Sequence, residues 1–189
     1  MEKTTDVTRS LWTLEAGMVF LNHGSYGATP KEILSEQQRW RDRLESQPCR
    51  FINHEAPTAI RHSAGHLADF LNADQDDIVF VENTTSGINA VLNSISFDAG
   101  DEVLVSDHIY NAVRNSILFQ IESVGAKLVV ASVGLPLSNE KEIVDKFCIG
   151  ITKKTRLIVV DHVASVSGVV FPVNSIAKKA QEKNIPILV

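Results

Sequence analysis

Residues 79–93 read Val-Phe-Val-Glu-Asn-Thr-Thr-Ser-Gly-Ile-Asn-Ala-Val-Leu-Asn. A run of β-favouring residues, Ile78, Val79, Phe80 and Val81, stops at the polar cluster Asn83, Thr84, Thr85, Ser86 and Gly87. Apolar residues then recur at Ile88, Val91, Leu92 and Ile95, the i, i+3, i+4, i+7 stripe of an amphipathic helix. The pattern predicts a strand, a tight polar turn and a helix. At a helix start the first backbone N–H groups lack intrahelical partners and the dipole is positive. Three successive hydroxyls there suit an ordinary N-cap or a seat for a phosphate. The stretch alone leaves both open.

From Asp77 onward the same alternation repeats. Continuous apolar runs predict strands at 78–81, 102–105, 127–131, 157–160 and 187–189. Helices are expected between them, over 84–97, about 110–124, about 138–150 and about 173–184, with Gly100-Asp101 and Gly125 marking turns. Unbroken apolar strands are the mark of strands covered on both faces. Strand–helix–strand alternation gives an α/β fold with a mainly parallel, right-handed sheet and flanking helices.

An N-terminal helical arm precedes that sheet. Residues 1–18 carry a few anchors (Leu11, Trp12, Leu14), and the apolar run Val19-Phe20-Leu21 leads into Asn22-His23-Gly24-Ser25-Tyr26-Gly27. Two glycines so close predict a loop with unusual dihedrals or close backbone approach. Thr29, Pro30 and Glu32 spell a capping box for a helix over 30–46, with Ile33, Gln37, Trp40 and Leu44 on one face. Residues 46–55 read as a connection, and Pro57 opens a further helix with Ile60, Ala64, Leu67 and Leu71 as its buried stripe. The domain boundaries expected are 1–72 for the arm and its helices and 73–189 for the α/β part.

Composition narrows the function. At 44% hydrophobic and 22% charged, the 189 residues suit an ordinary globular domain. A net charge of −5, from 18 basic against 23 acidic residues, argues against a nucleic-acid surface, which needs clustered cations. Arg39, Arg41 and Arg43 are the one basic knot, and they fit a solvated helix face. Cys49 and Cys148 lie far apart with no C-x-x-C partner, and no apolar run reaches membrane-spanning length. These features favour a reduced, cytoplasmic protein with no membrane partner. His62 and His66 are four apart on a helix, yet both fall opposite its apolar stripe and no zincin Glu follows His62, so no metal is expected.

Ligands of parallel α/β sheets bind beyond the carboxyl ends of the strands. Those ends carry Asn83, Thr84, Thr85 and Ser86 after the first strand, and Ser106, Asp107, His108 and Tyr110 after the second. Asp161, His162, Ser165, Ser167 and Gly168 follow the fourth. There is no G-x-G-x-x-G after a strand, no Walker A pattern and no G-x-S-x-G elbow. Asp161 and His162 are adjacent on an extended segment and point to opposite faces, which defeats a relay. What remains is a phosphate seat, an aromatic and a hydroxyl-rich turn. A phosphorylated aromatic cofactor uses all three, and pyridoxal phosphate (PLP) fits.

Four segments carry a resemblance. They are Phe20-Leu-Asn-His-Gly-Ser-Tyr-Gly27, Val81-Glu-Asn-Thr-Thr-Ser-Gly-Ile-Asn89, Gly100-Asp-Glu-Val-Leu104 with Asp107-His-Ile-Tyr110, and Asp161-His-Val-Ala-Ser-Val-Ser-Gly168. In that order and at that spacing the chain resembles the N-terminal part of the class V aminotransferase family, PLP fold type I, in its isopenicillin N epimerase-like branch. The resemblance implies a homodimeric PLP enzyme acting at Cα of an amino acid or amine, as epimerase, lyase or transaminase. It implies that Thr84 and Thr85 bind the cofactor phosphate, that Tyr110 stacks on the ring, and that Ser165 contacts the ring's phenolic oxygen. Asn22 and His23 resemble the loop bordering the substrate pocket. For each position a local role stays open: packing for Tyr110, a turn hydroxyl for Ser165, capping for Asn22 and His23.

The family places an Asp, partner of the pyridinium nitrogen, just after the strand that here reaches Val189, and a Schiff-base Lys later. Neither has a counterpart here, so no catalytic residue is assigned, and Lys178, Lys179 and Lys183 read as a solvated helix face. The expectation is a partial large domain, without its C-terminal part and small domain, inactive alone. The alternative is a noncatalytic α/β module that binds a phosphorylated ligand or a protein partner.

Overall fold

The computed structural model describes residues 8–189, and the chain divides at Phe80 into two units. The first holds two long helices, α1 (Lys31–Ser46) and α2 (Ala56–Leu71). Trp12 donates its indole N–H to Ala28 O at 3.0 Å, and Lys31 N–H donates to Leu11 O at 2.8 Å. The expected capping box does not form, because the cap position falls to Pro30, whose ring has no acceptor, while the first helical N–H finds the Leu11 carbonyl.

The connection expected over 46–55 is helical instead. Pro48–Arg50 and a π-helical turn, Phe51–Glu55, run straight into α2. Pro48 stands in a first turn, where a missing N–H costs nothing. Glu55 accepts from Arg50 Nε at 2.8 Å, and its other oxygen lies 2.6 Å from Arg43 Nε, close but off the hydrogen-bond direction. The buried stripe of α2 also differs from the one expected. Ala64 and Ala68 are buried, whereas Ile60 and Leu71 are 52% and 54% exposed. Small residues let the 3-10 turn Gln75–Asp77 approach this face, and a Cβ on Gly65 would sit 3.2 Å from Gln75 Oε1. Asn72, left-handed at φ 53°, closes the helix.

The strand expected over 78–81 forms no ladder with any described residue, and Val79, Phe80 and Val81 are exposed. Apolar, β-branched composition permits a strand, but a ladder needs a neighbour.

The second unit is a four-stranded parallel sheet in the order β2-β1-β3-β4. Its strands are β1 (Glu102–Ser106), β2 (Lys127–Ala131), β3 (Thr155–Val159) and β4 (Ile187–Leu188). Helices α3 (Thr84–Ser94), α4 (Asn111–Glu122), α5 (Glu140–Gly150) and α6 (Val173–Gln181) lie between or before them. Alternate side chains of one strand point to opposite faces. Val103, Val105, Leu157 and Val159 accordingly pack with Ile88 and Leu92 of α3 and Val113, Ile117 and Ile121 of α4. Leu104, Ile158 and Val160 face the other way, onto Ile143 and Phe147 of α5 and Ile176 and Ala180 of α6. The central strands are covered twice, as their sequence predicts, while edge strand β2 leaves Val130 47% exposed. The C-terminus of α5 lies so close to β1 that a Cβ on Gly150 would fall 2.6 Å from Leu104 Cδ1.

Candidate functional site

Helix α3 packs on the sheet and a short connection returns the chain to the start of β1. It therefore runs against the strands, and its first turn lies at their carboxyl end. Asn83 is extended there, and its Oδ1 accepts from Ser86 N–H at 2.9 Å while its carbonyl accepts from Gly87 N–H at 3.1 Å. Thr84 and Thr85, the first two helical residues, are left with N–H groups that have no intrahelical acceptor. Asn83 is thus the cap, and the two threonines stand clear of that duty. The cap reading of the polar cluster is met by Asn83, and the phosphate reading turns on the two threonines.

The exit of β1 is held by hydrogen bonds. Asp107 Oδ1 accepts from Val133 N–H at 2.9 Å, and its Oδ2 accepts from the Ser132 hydroxyl at 3.2 Å. His108 is nearly enclosed. Its Nε2 lies 2.7 Å from Val133 O, its Nδ1 lies 2.7 Å from Ser167 Oγ, and its ring meets Phe171 at a centroid distance of 5.8 Å. Tyr110 caps α4, and its N–H donates to Asp161 Oδ2 at 2.9 Å. The residue is 48% exposed. Burial pushes the Asp161 carboxyl above the ordinary carboxylate range, and the Tyr110 N–H opposes that rise.

Beyond β3 the chain makes a tight turn. Gly168 N–H donates to Ala164 O at 2.8 Å, Ala164 N–H donates to Val169 O at 2.9 Å, and Val163 bridges Val170. Gly168 adopts φ +69°, a region open to glycine. Ser165 is exposed on this turn.

Thr84, Thr85, Tyr110 and Ser165 therefore all belong to the carboxyl end of one parallel sheet. Two N–H groups with two hydroxyls, an aromatic and a turn hydroxyl suit a phosphorylated ring. Asn22 and His23 lie in the other unit. Asn22 precedes a one-turn helix, His23–Tyr26, and the His23 ring packs edge-on to Phe20 at 4.7 Å and near Trp12 at 6.2 Å. The two neighbouring glycines have no positive φ; Gly27 instead passes so close to His23 O that a Cβ would lie 3.0 Å from it. His62 and His66 are exposed with their Nε2 atoms 3.1 Å apart, and the described residues offer no set of three ligands for a metal. Sequence reasoning missed the Asp161–Tyr110 and His108–Ser167 ties. Their partners are 51 and 59 residues apart, beyond any local spacing.

Known proteins resemble the chain over most of its length. The family described as Aminotransferase class-V matches residues 19–189. A putative L-cysteine desulfhydrase 1 of Oryza sativa subsp. japonica is 30% identical over 185 residues, covering 90% of this chain and 38% of that protein. An isopenicillin N epimerase of Amycolatopsis lactamdurans is 27% identical, covering 92% and 44%. The solved structure of a C-DES mutant with glycine covalently linked to its PLP cofactor superposes with a TM-score of 0.82 at 20% identity, over 96% of this chain and 48% of that one. A cysteine desulfurase from Escherichia coli gives 0.78 at 23% identity, over 97% and 47%. The chain spans less than half the length of each of these proteins.

Proposed function

The chain belongs to the class V aminotransferase family, and we propose on that premise that it forms the cofactor-holding part of a PLP enzyme acting at Cα of an amino acid. The observation that supports this most is the common location of Thr84, Thr85, Tyr110 and Ser165 at the carboxyl end of the sheet. When bound, the cofactor supplies an electron sink for bond cleavage at Cα. Around it, the N–H groups and hydroxyls of Thr84 and Thr85 hold the phosphate. Tyr110 offers its ring for stacking, and the Ser165 hydroxyl donates to the ring oxygen. Asn22 and His23 border the substrate. The relatives are named for cysteine desulfhydrase and epimerase activities, so L-cysteine and an epimerisable amino acid are the first substrates to try.

The whole protein acts as a homodimer in the cytoplasm in this reading. Supporting the compartment, Cys49 and Cys148 are both free thiols, and no helix among the described residues is long and apolar enough to cross a membrane. The 189 residues alone bind the cofactor without turnover. Lys178 and Lys179 lie on α6, which precedes β4, and Lys179 is paired with Glu182 at 2.8 Å. Neither is at the carboxyl end of a strand.

Titration with PLP tests the site. The parent chain saturates at one equivalent, and Thr84→Val with Thr85→Val abolishes binding while the circular dichroism of the fold persists. Unchanged titration of the double variant overturns the assignment and favours a noncatalytic module. Borohydride treatment of the complex yields no single stoichiometric pyridoxyl-lysine; a defined adduct with turnover defeats the claim of inactivity.

A further inference from the structure

We infer that His108 is a positioning residue: its ring pins the exits of β1, β2 and β3 together and thereby sets the gap between Tyr110 and the Ser165 turn. The inference rests on the cofactor reading above for its consequence, but not for its geometry.

The tautomer follows from the partners. The Val133 carbonyl can only accept, so the Nε2 that lies 2.7 Å from it carries the proton. In the neutral ring Nδ1 then presents a lone pair, to which the Ser167 hydroxyl 2.7 Å away donates. A neutral imidazole carries one donor and one acceptor on a rigid plane. Here one edge reaches the segment after β2 and the other the turn after β3, while the backbone belongs to the exit of β1. Its side chain is only 11% exposed and its ring is backed by Phe171, so water competes poorly for either bond.

What the pin holds matters most. Tyr110 lies two residues beyond His108, and Ser165 two residues before Ser167. The Asp161–Tyr110 bond joins the same two exits at a second point. Two ties across one gap fix both its width and its angle, which one tie cannot do. A flat ligand seated between an aromatic and a turn hydroxyl needs both fixed. Among the described residues no other side-chain hydrogen bond links the turn of residues 164–168 to another element, and Ala164 adds only apolar packing in the core.

The test uses the full chain with His108→Ala, Ser167→Ala, Ser167→Thr and the His108→Ala/Ser167→Ala pair. PLP affinity, the induced circular dichroism of the bound ring and amide hydrogen exchange at Ala164 and Gly168 are read on each. Without the bond, PLP binding has to order the gap itself, and an ordering cost comparable to one net hydrogen bond weakens PLP by about three- to tenfold. Ser167→Ala should do this, dim the induced signal and speed exchange at both amides, and Ser167→Thr should restore all three. The double variant should be no worse than His108→Ala, since the two groups act as a unit. A lower melting temperature with unchanged affinity and induced signal marks a merely structural contact and overturns the proposal, as do additive effects. If the parent binds no PLP, the cofactor reading falls. Exchange then decides the pin by itself, because unchanged exchange in Ser167→Ala removes it.

Discussion

Val103, Leu104 and Val105 are wholly enclosed, whereas Val19, Leu21 and Val79, from runs just as apolar, stand 78%, 86% and 78% exposed. The first three sit in a central strand with a ladder on each side and helices on each face. The others belong to the N-terminal unit, whose buried apolar residues are Ala64 and Ala68 alone among those described. Residue type is the same in the two regions; the number of directions from which the chain is covered is not. Apolar area stabilises only when it leaves water.

The contrast is broken or sharpened by substitution. Leu104→Ala should cost about 3–5 kcal/mol in urea unfolding, since it empties a wholly buried position under a close-packed helix end. Phe70→Ala, at a residue 85% exposed, should stay within about 0.5 kcal/mol. A similar loss at both positions would show that the N-terminal unit hides a core of its own. Next in size, Gly150→Ala should cost about 1–3 kcal/mol by driving a methyl into Leu104. In a Leu104→Ala background the same change should cost much less, and a thermodynamic cycle reads that coupling.

Asn83→Ala should cost about 1 kcal/mol, the ordinary value of a cap, seen as earlier urea unfolding of the second unit. The smallest effect concerns pH. The folded-state pKa of Asp161 is raised, so its contribution is fully present below the ordinary carboxylate range and is lost as pH rises through the raised value. Asp161→Asn keeps an acceptor for Tyr110 N–H and removes that loss. Melting curves from acid to neutral pH should fall less for the variant, with a neutral-pH melting temperature equal to or slightly above the parent's. A steeper fall would mean that the carboxylate charge is favourable where it lies.

How far the sequence was legible follows the same division. The four paired strands and the helices between them stand close to where their apolar runs predict, because a strand buried on both faces leaves an unbroken local signature. The run at 78–81 carries that signature too and forms no ladder among the described residues, since pairing depends on a neighbour that composition does not supply. Residues 46–55 misled in the opposite sense. Pro48 looks like a stop, yet at the first turn of a helix it is a start. In α2 the stripe Ile60, Ala64, Leu67, Leu71 has the right period, but the buried pair is Ala64 and Ala68, and the Gln75–Asp77 turn approaches at Gly65.

The site divides likewise. Asn83 as the cap was readable because capping is a matter of adjacent residues. The sequence by itself determined the alternation of elements, the parallel sheet and which residues stand at its carboxyl end, all set by periodicity within a dozen residues. Only the tertiary structure decided which apolar run found a partner, and that His108 meets Ser167 and Tyr110 meets Asp161. Those bonds close loops of more than fifty residues, and hydrogen bonds of such span depend on how the sheet stacks its strands, which no local pattern encodes.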